Sequence, residues 1–321
     1  MSTLARVRVG LFYWWRHGRF PALANPRRFT EWVQWRKLND RDTGRARLTD
    51  KGHSKRIAAA ALGDGFVVPT LWEGKRLPDV APWSLPFVVK ANHGCRQTVV
   101  VRTPADYQRA RRAAPIWLRQ VYGRWLDEWH YRGARRMILV EPFIGGLAQQ
   151  PIDYKIYVFG GRAAMVQVHE GRGDRHQWSQ YDRHWARLSS DGRIVAAPRS
   201  LSRMLAAAER LAQGQDFLRV DFYDVDGVPL FGEFCLYPGS GLDRFDPPGL
   251  DDWLGAQWSA ACRQWQVGAS NGVRDDTRLE SQLGRGCPFT PLTGNGTQRT
   301  TNGNGRPPKG DRPLCPAIKP D

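Results

Sequence analysis

A chain of 321 residues with 41% hydrophobic content reads as globular, long enough for a sizeable core or for two lobes with a cleft between them. Its net charge of +17, from 48 Lys+Arg against 31 Asp+Glu, points to phosphate-rich partners or an anionic surface, and residues 1–60 alone hold an excess of 10 positive charges. The five cysteines, Cys95, Cys235, Cys262, Cys287 and Cys315, are odd in number, far apart and include no CxxC pair, so neither a disulfide framework nor a zinc site is indicated, and a reducing cytoplasm is the expected compartment. No apolar run approaches the ~18 residues of a spanning helix, and Arg6, Arg8 and Arg16 interrupt any signal-peptide core, so a soluble or membrane-peripheral protein is expected.

Residues 4–20, LARVRVGLFYWWRHGRF, mix aromatics with arginines; such a segment either packs on its own domain or rests on an anionic bilayer surface. Asn25-Pro26 closes it. Thr30 is the predicted N-cap of a helix from Glu31 to Asn39, with Trp32, Trp35 and Leu38 or Val33 as its buried stripe. Asp50-Lys51 and Lys55 open a second helix running through Ala58 to Ala61. From Leu85 the pattern turns to β: Pro86 to Lys90, a polar loop from Ala91 to Gln97, and Thr98 to Arg102 predict a hairpin with a flexible tip. Thr103-Pro104 caps a predicted helix from Ala105 to about Trp125. Met137 to Phe143 reads as a buried strand, and Asp153 to Phe159 with Ala163 to His169 as a hairpin around Gly160-Gly161. Leu201 to Gln213 is a helix ended by Gly214, and Trp253 to Trp265 the last packed helix. Residues 266–321 carry 9 Gly and 7 Pro with Phe289 the only aromatic, so they are expected to be disordered and outside the fold.

The stretch from Phe217 to Gly241, FLRVDFYDVDGVPLFGEFCLYPGSG, places charge inside an apolar β pattern. Leu218, Val220 and Phe222 alternate with Arg219 and Asp221. If the turn is the three-residue Val225-Asp226-Gly227 type, Asp224 pairs with Val228 and Arg219 falls opposite Glu233, so that Arg219, Asp221 and Glu233 share a face; a two-residue turn at Asp226-Gly227 slips the register by one and turns Glu233 away. Two carboxylates and a guanidinium on one face suit a hard divalent cation with an anion beside it, magnesium on a nucleotide phosphate for example. The same triplet also suits a salt-bridged solvent face of a hairpin. Tyr237-Pro238-Gly239-Ser240-Gly241 adds a glycine-rich turn whose amides could approach an anion.

Taken in order, Lys51 in DKGHSK, Lys90 at a strand end, Glu141 ending another strand and the Arg219/Asp221/Glu233 hairpin resemble the ATP-grasp superfamily. More closely, NPRRFTEWVQWRKLNDRD, LTDK, PFVVKANHG, DYKIYVFGGR, FLRVDFYDVDG and GEFCLYPGSG resemble the teichuronopeptide-biosynthesis (TupA-like) ATP-grasp family of bacterial cell-surface polysaccharide loci, from about Asn25 to about Trp258. The resemblance implies an α+β fold in which two α/β lobes with antiparallel sheets clamp ATP between them. It divides the chain into a basic helical region at 1–62, lobes at 63–265 (a nucleotide-binding lid subdomain at about 84–140 and a metal and substrate lobe at 141–265), and the tail. It implies that Lys51 and Lys90 contact the phosphates of ATP, that the loop with Asn92, His93 and Gly94 is a lid, that Glu141 lies at the adenine hinge and that Asp153 accepts ribose hydroxyls. Lys155 is a further phosphate or substrate ligand, Asp221 and Glu233 bind Mg2+, and Arg219 stabilises a tetrahedral centre. His169, Glu170 and Arg172 are candidates to meet the acceptor, whereas His176 and His184 read as structural. One position departs from the pattern: Cys235 stands where many ATP-grasp ligases have a metal-binding asparagine, and a thiol is a poor ligand for hard magnesium.

The implied reaction is ligation of a carboxylate to an amine, the partners being an amino acid or peptide and a uronic acid or amino sugar. Phosphoryl transfer to a sugar or lipid-linked acceptor is the alternative within the fold. A non-catalytic basic protein that binds nucleic acid or a membrane surface is the alternative outside it, and Asp221 and Glu233 facing an anionic ligand argue against it. A glycosyltransferase is weaker still, because Asp224-Val225-Asp226 is explained as turn chemistry.

Overall fold

Two antiparallel sheets organise the chain, because successive β segments joined by tight turns pair as hairpins. A computed structural model describes residues 3–145, 151–170, 177–190 and 193–270, the last six as backbone only. The first sheet joins β1 (Trp72–Gly74), β2 (Phe87–Ala91), β3 (Thr98–Val101) and β4 (Ile138–Pro142) in the order β1-β4-β2-β3. The second joins β5 (Asp153–Phe159), β6 (Arg162–Glu170), β7 (Gln177–Asp182), β8 (Phe217–Val225) and β9 (Val228–Cys235) in the order β7-β6-β5-β8-β9. Among the described residues, every named pair in both sheets is antiparallel. The predicted hairpins are therefore present; β1 and β7, short and weakly patterned, are strands that sequence reading did not find.

Among the described residues, seven α-helices clothe the sheets: α1 (Thr3–His17), α2 (Phe29–Asn39), α3 (Thr43–Arg47), α4 (Lys51–Leu62), α5 (Pro104–Arg119), α6 (Leu201–Leu211) and α7 (Gly249–Ser270). α5 packs Tyr107, Ala110 and Ala114 into one core with Phe87, Val89, Val101 and Val140 of the small sheet. The larger core takes Leu218, Val220 and Phe222 of β8 together with Met204, Leu205 and Ala208 of α6. On the opposite face of that sheet, Tyr157 and Phe217 meet Phe29 of α2 and Trp258 of α7, with ring centroids 4.4 to 5.9 Å apart. This aromatic packing covers only one end of that face, which leaves the other end open.

Helix ends differ from the sequence expectations for local reasons. α2 begins at Phe29, not after Thr30, because the Glu31 carboxylate turns back to accept the backbone N–H of Arg27 (3.0 Å) and Arg28 (3.1 Å). Thr30 lies inside the helix, where its N–H and hydroxyl donate to Asp251 at 2.9 and 2.7 Å and so fasten α2 to α7. Asp50 caps α4 as its sequence suggests, accepting from His53 N at 2.8 Å. α5 stops at Arg119, short of Trp125, and α7 runs from Gly249 to Ser270, past both predicted ends of the last helix. The rest of the predicted disordered tail, together with Arg172 and His176, lies outside the described residues.

The chain entering α2 crosses α7 at Gly255, where a Cβ would stand 1.9 Å from the carbonyl oxygen of Arg27. Backbone cannot yield as a flexible side chain does, so Gly255→Ala is expected to lower stability by about 1–3 kcal/mol. Urea unfolding monitored by tryptophan fluorescence reads this, and an unchanged midpoint would show that the two helices separate freely.

The β8–β9 hairpin corrects the predicted register. Val225 pairs with Val228 across a two-residue turn whose central residues, Asp226 (φ 53°) and Gly227 (φ 82°), have the positive φ of a type I′ turn. The three-residue loop is therefore absent and Arg219 lies opposite Cys235, not Glu233. Yet Glu233 keeps its face. Phe222 pairs with Phe231 and Asp221 with Glu233, so Gly232 is an extra residue that restores the alternation. A Cβ at Gly232 would stand 3.2 Å from both the Asp221 carbonyl oxygen and the Tyr223 ring, a tight fit for any larger residue.

Candidate active site

The open end of the large sheet presents a row of polar side chains at one level: Gln180, Gln167, Lys155, Asp221 and Glu233 are paired in register from β7 to β9. Beside it run Tyr157, Arg219 and Cys235, and on the other side Trp178, His169, Asp153 and Tyr223. Of these, Lys155, Asp221, Glu233, Arg219, Cys235, Trp178, His169, Asp153 and Tyr223 line a cleft of about 1450 Å³, which Lys90 and Glu141 from the small sheet and Lys51 and Lys55 from α4 also line; Gln167, Gln180 and Tyr157 lie instead against Phe29 and Thr30. Of the sequence-predicted site residues, Lys51, Lys90, Gly94, Glu141, Asp153, Lys155, Arg219, Asp221 and Glu233 line this cleft.

Asn92 and His93 do not. Both are buried in the scaffold, 0% and 2% exposed. Asn92 accepts from Gly52 N (2.8 Å) and donates to the Arg135 carbonyl (2.7 Å), while its own carbonyl accepts from Lys51 N (3.3 Å). It thus sets the start of α4 and aims Lys51 into the cleft. The His93 ring meets the Trp117 carbonyl at 3.0 Å, under α5. The predicted flexible tip is therefore a packed loop, because its polar groups bond inward; Gly94, Cys95 and Arg96 are the part of it that reaches the cleft.

Much of the charge in the cleft is paired. Arg219 donates through Nε to Asp221 Oδ1 and through Nη2 to Oδ2, both at 2.7 Å, and Lys155 Nζ reaches Asp221 Oδ2 at 2.7 Å and also Asp153. Lys51 bonds Glu233. Glu141 bridges Lys55 (2.7 Å) and Lys90 (2.6 Å). Burial pushes the Glu141 carboxyl up, but Lys90 and Lys55 outweigh it and hold the group below its ordinary range. For Glu233 burial is again opposed, by Lys51 and Lys155, and the net shift is strongly downward. Burial raises the Cys235 thiol to about 12 despite Arg219, so it stays protonated at neutral pH.

These shifts set a pH dependence. A carboxylate whose folded pKa is depressed adds stability above its unfolded value, and that contribution is lost as pH falls toward the folded value. Glu141→Gln is therefore expected to cost about 2–3 kcal/mol at pH 7, where two lysines lose their partner, and distinctly less below the ordinary carboxylate value of 4.5. Denaturant unfolding of both proteins at neutral and acid pH measures it; an equal difference at the two pH values would refute the assignment.

Lys55 is one site residue that sequence reasoning missed. Its signal was present, since it follows Lys51 by four residues on one helix face. Tyr122 and Tyr131 also line the cleft; the predicted helix ran through Tyr122, whereas α5 ends at Arg119 and both tyrosines follow it. His169 lines the cleft, whereas His184 sits in the turn after β7 and does not. Tyr237, Gly239 and Ser240 line it too, but the Ser240 amide donates to the Tyr237 carbonyl (2.8 Å) and is not open to an anion.

The donor set suits a divalent cation only in part. Among the described residues no group of three or more His, Cys, Asp or Glu converges as a metal cage. Asp221 and Glu233 do face one another as hard oxygen donors, and the protonated Cys235 thiol adds nothing for magnesium. Two carboxylates would supply only part of the oxygen shell of a magnesium ion.

Two antiparallel sheets flanking a lysine-lined cleft accord with the family comparison, in which the model for TupA-like ATPgrasp matches residues 31–259. The chain belongs to the TupA-like ATP-grasp family. Its fold is accordingly the α+β ATP-grasp fold. A search of the curated proteins found no match. Among solved structures, this TupA-like chain is similar to D-alanine–D-alanine ligase from Bacillus anthracis, with 18% identity, a TM-score of 0.43 and 70% of each chain covered. It is also similar to VanG D-Ala:D-Ser ligase from Enterococcus faecalis, with 16% identity, a TM-score of 0.41, and 67% of this chain and 62% of that one covered. The Bacillus anthracis ligase complexed with ATP matches at 16% identity and a TM-score of 0.37, over 58% of this chain and 52% of that one, so the TupA-like chain spans about half of that enzyme.

Proposed function

We propose that this protein is an ATP- and Mg2+-dependent carboxylate–amine ligase that works through an acyl phosphate, in bacterial cell-surface polysaccharide biosynthesis on the cytoplasmic side. One observation carries the reading: Asp221 and Glu233 face each other on the same cleft wall that Lys51, Lys55, Lys90, Lys155 and Arg219 surround. Family membership supports ATP as the phosphoryl donor.

In this reading the chain segment after Glu141, with Pro142, Phe143 and Ile144 on the cleft, receives adenine, and Asp153 accepts the ribose hydroxyls. Glu141 keeps Lys55 and Lys90 poised until the phosphates take over their charge. Asp221 and Glu233 would hold the magnesium ion, which supplies charge neutralisation across the phosphates when bound. A substrate carboxylate oxygen then attacks the γ-phosphorus, the bond to the β–γ bridging oxygen breaks, and ADP leaves. The amine nitrogen attacks the acyl carbon of the mixed anhydride; Arg219 stabilises the oxyanion, phosphate departs, and the nitrogen loses a proton to give the amide. Lys155, between Asp153 and Asp221, orients the acyl phosphate. In this reading the chain from about 84 to 140 forms the nucleotide lobe and that from 141 to 265 the metal and substrate lobe. The odd, scattered cysteines support a reducing compartment.

The test is a screen of uronic acids, amino acids and short acidic peptides with purified protein, ATP and magnesium, following ADP release and product mass. ADP and phosphate, never AMP, are expected only with a carboxylate present, and hydroxylamine should intercept the acyl phosphate as a hydroxamate. A stable phosphorylated acceptor would make the protein a phosphotransferase, and absence of ATP binding would make it a binding protein.

A further inference from the structure

α1 is turned the wrong way for a solvated helix. Its inner side, Val9, Gly10 and Tyr13, is buried, and a water-facing outer side should be polar. Instead Leu4 (77% exposed), Val7 (53%), Leu11 (52%), Trp14 (49%) and Trp15 (72%) point outward. At one hundred degrees per residue these five fall within an arc of roughly 100°. Arg6, Arg8 and Arg16, the helix's arginines, lie outside that arc. Phe20, 64% exposed, extends the stripe past the helix end, its ring 6.3 Å from Trp14.

The charge around this stripe has one sign. Between Thr3 and Arg28 there are six arginines and no carboxylate. Arg8 is paired to Asp127, Arg19 to Asp251, and Arg28 to Glu31 and Asp252, whereas Arg6, Arg16 and Arg27 are exposed and have no carboxylate partner among the described residues. An apolar stripe with two outward tryptophans, set in a basic segment, is complementary to a bilayer surface carrying anionic headgroups: the apolar side chains enter the acyl boundary while the guanidiniums remain with the phosphates. No helix of the described residues is long and apolar enough to cross a membrane, so the contact is interfacial.

The helix is also fixed to the rim of the cleft. Arg8 holds Asp127, between the cleft-lining Leu126 and Glu128, and Trp125 two residues away is 77% exposed. At the other end Arg16 Nε donates to the Leu242 carbonyl (2.9 Å) and His17 meets the Gly241 carbonyl (3.2 Å), beside the cleft-lining Gly239 and Ser240. We propose that α1 is an interfacial helix that docks the protein on an anionic lipid bilayer and thereby holds the rim of the cleft near the membrane surface. The inference is independent of the ligase chemistry.

Flotation of the full-length protein with vesicles tests it. Binding is expected to phosphatidylglycerol-containing vesicles and to be weak with phosphatidylcholine alone. Leu11→Ser combined with Trp15→Ser leaves every charge in place and should lower the bound fraction at least ~10-fold, with an unchanged circular-dichroism melting curve. A second pair, Leu4→Ser with Val7→Ser, repeats the test if the first disturbs the helix. Equal vesicle binding by the variants would mean that charge elsewhere mediates adhesion and would overturn the proposal. So would failure of the wild-type protein to bind, and so would a concentration-dependent dimer, abolished by the variants, in a protein that ignores vesicles; in that last case the stripe is a face for a second copy.

Discussion

Asp216→Ala is expected to lower stability by about 3–5 kcal/mol, more than either Gly255→Ala or Glu141→Gln. Asp216 is 2% exposed and lies between two guanidiniums that are as deeply buried, Arg36 (0%) and Arg45 (2%). Its Oδ1 takes Arg36 Nη2 at 2.6 Å and Arg45 Nη2 at 2.9 Å, and Oδ2 accepts from Trp258 Nε1 at 3.0 Å. Arg36 also sits 4.4 Å over the Trp258 ring and donates to the Phe217 carbonyl. One carboxylate thus joins α2, α3, α7 and the start of β8. Asp40 pairs with both arginines, Arg45 at 2.7 Å and Arg36 at 3.7 Å, but its one negative charge does not balance two guanidiniums. Removal leaves a buried positive charge without compensation, which costs far more than the net worth of the ion pairs. Equilibrium unfolding in urea measures the loss, and Asp216→Asn, which keeps an acceptor for Trp258, should recover part of it. A cost below about 1 kcal/mol would show that water reaches the site.

The largest functional effect is expected at Glu233. Glu233→Gln should reduce magnesium-dependent turnover at least ~100-fold while leaving the fold intact, since it keeps the shape of the side chain and removes only its charge. Its side chain is 30% exposed and bonded to the single cation Lys51, so the folded state tolerates the change. Asp221→Asn should lose turnover to a similar degree but also stability, because Arg219 and Lys155 both rest on that carboxylate in a side chain only 2% exposed. Comparing magnesium titrations of ADP release with thermal midpoints separates the two roles. Near-normal turnover in both variants would remove the metal assignment.

The chemistry of the β8–β9 hairpin was legible because it depends on short-range facts. Alternation set Arg219 and Asp221 on one side, and Asp-Gly marked the turn. The register was not legible: whether Gly232 bulges depends on how Phe222 and Phe231 seat in the core, and no local pattern reports that. Two errors, in the loop length and in the missing bulge, cancelled, so Glu233 was put on the right face for the wrong reason. Asn92 shows the reverse failure. A polar residue in a glycine-bearing loop has the composition of a ligand, yet its amide groups were needed to bond α4 and the Arg135 carbonyl, which only the folded chain brings within reach.

By itself, then, the sequence determined the family, the strands and helices with clear period, and the charged side chains at the strand positions of the cleft, from Lys90 and Glu141 to Arg219, Asp221 and Glu233, because residue type and alternation are local properties; Lys55, Arg102, Arg109 and Glu128, which line it too, were not singled out. Tertiary structure decided which charges meet. Lys55 and Lys90 converge on Glu141 from separate elements, Arg36 and Arg45 close on Asp216 from positions about 170 to 180 residues away, and the outward stripe of α1 is defined only once its other side is packed. Those pairings depend on long-range closure of the chain, and a buried charge selects its partner by distance and burial in the finished fold, not by its neighbours in sequence.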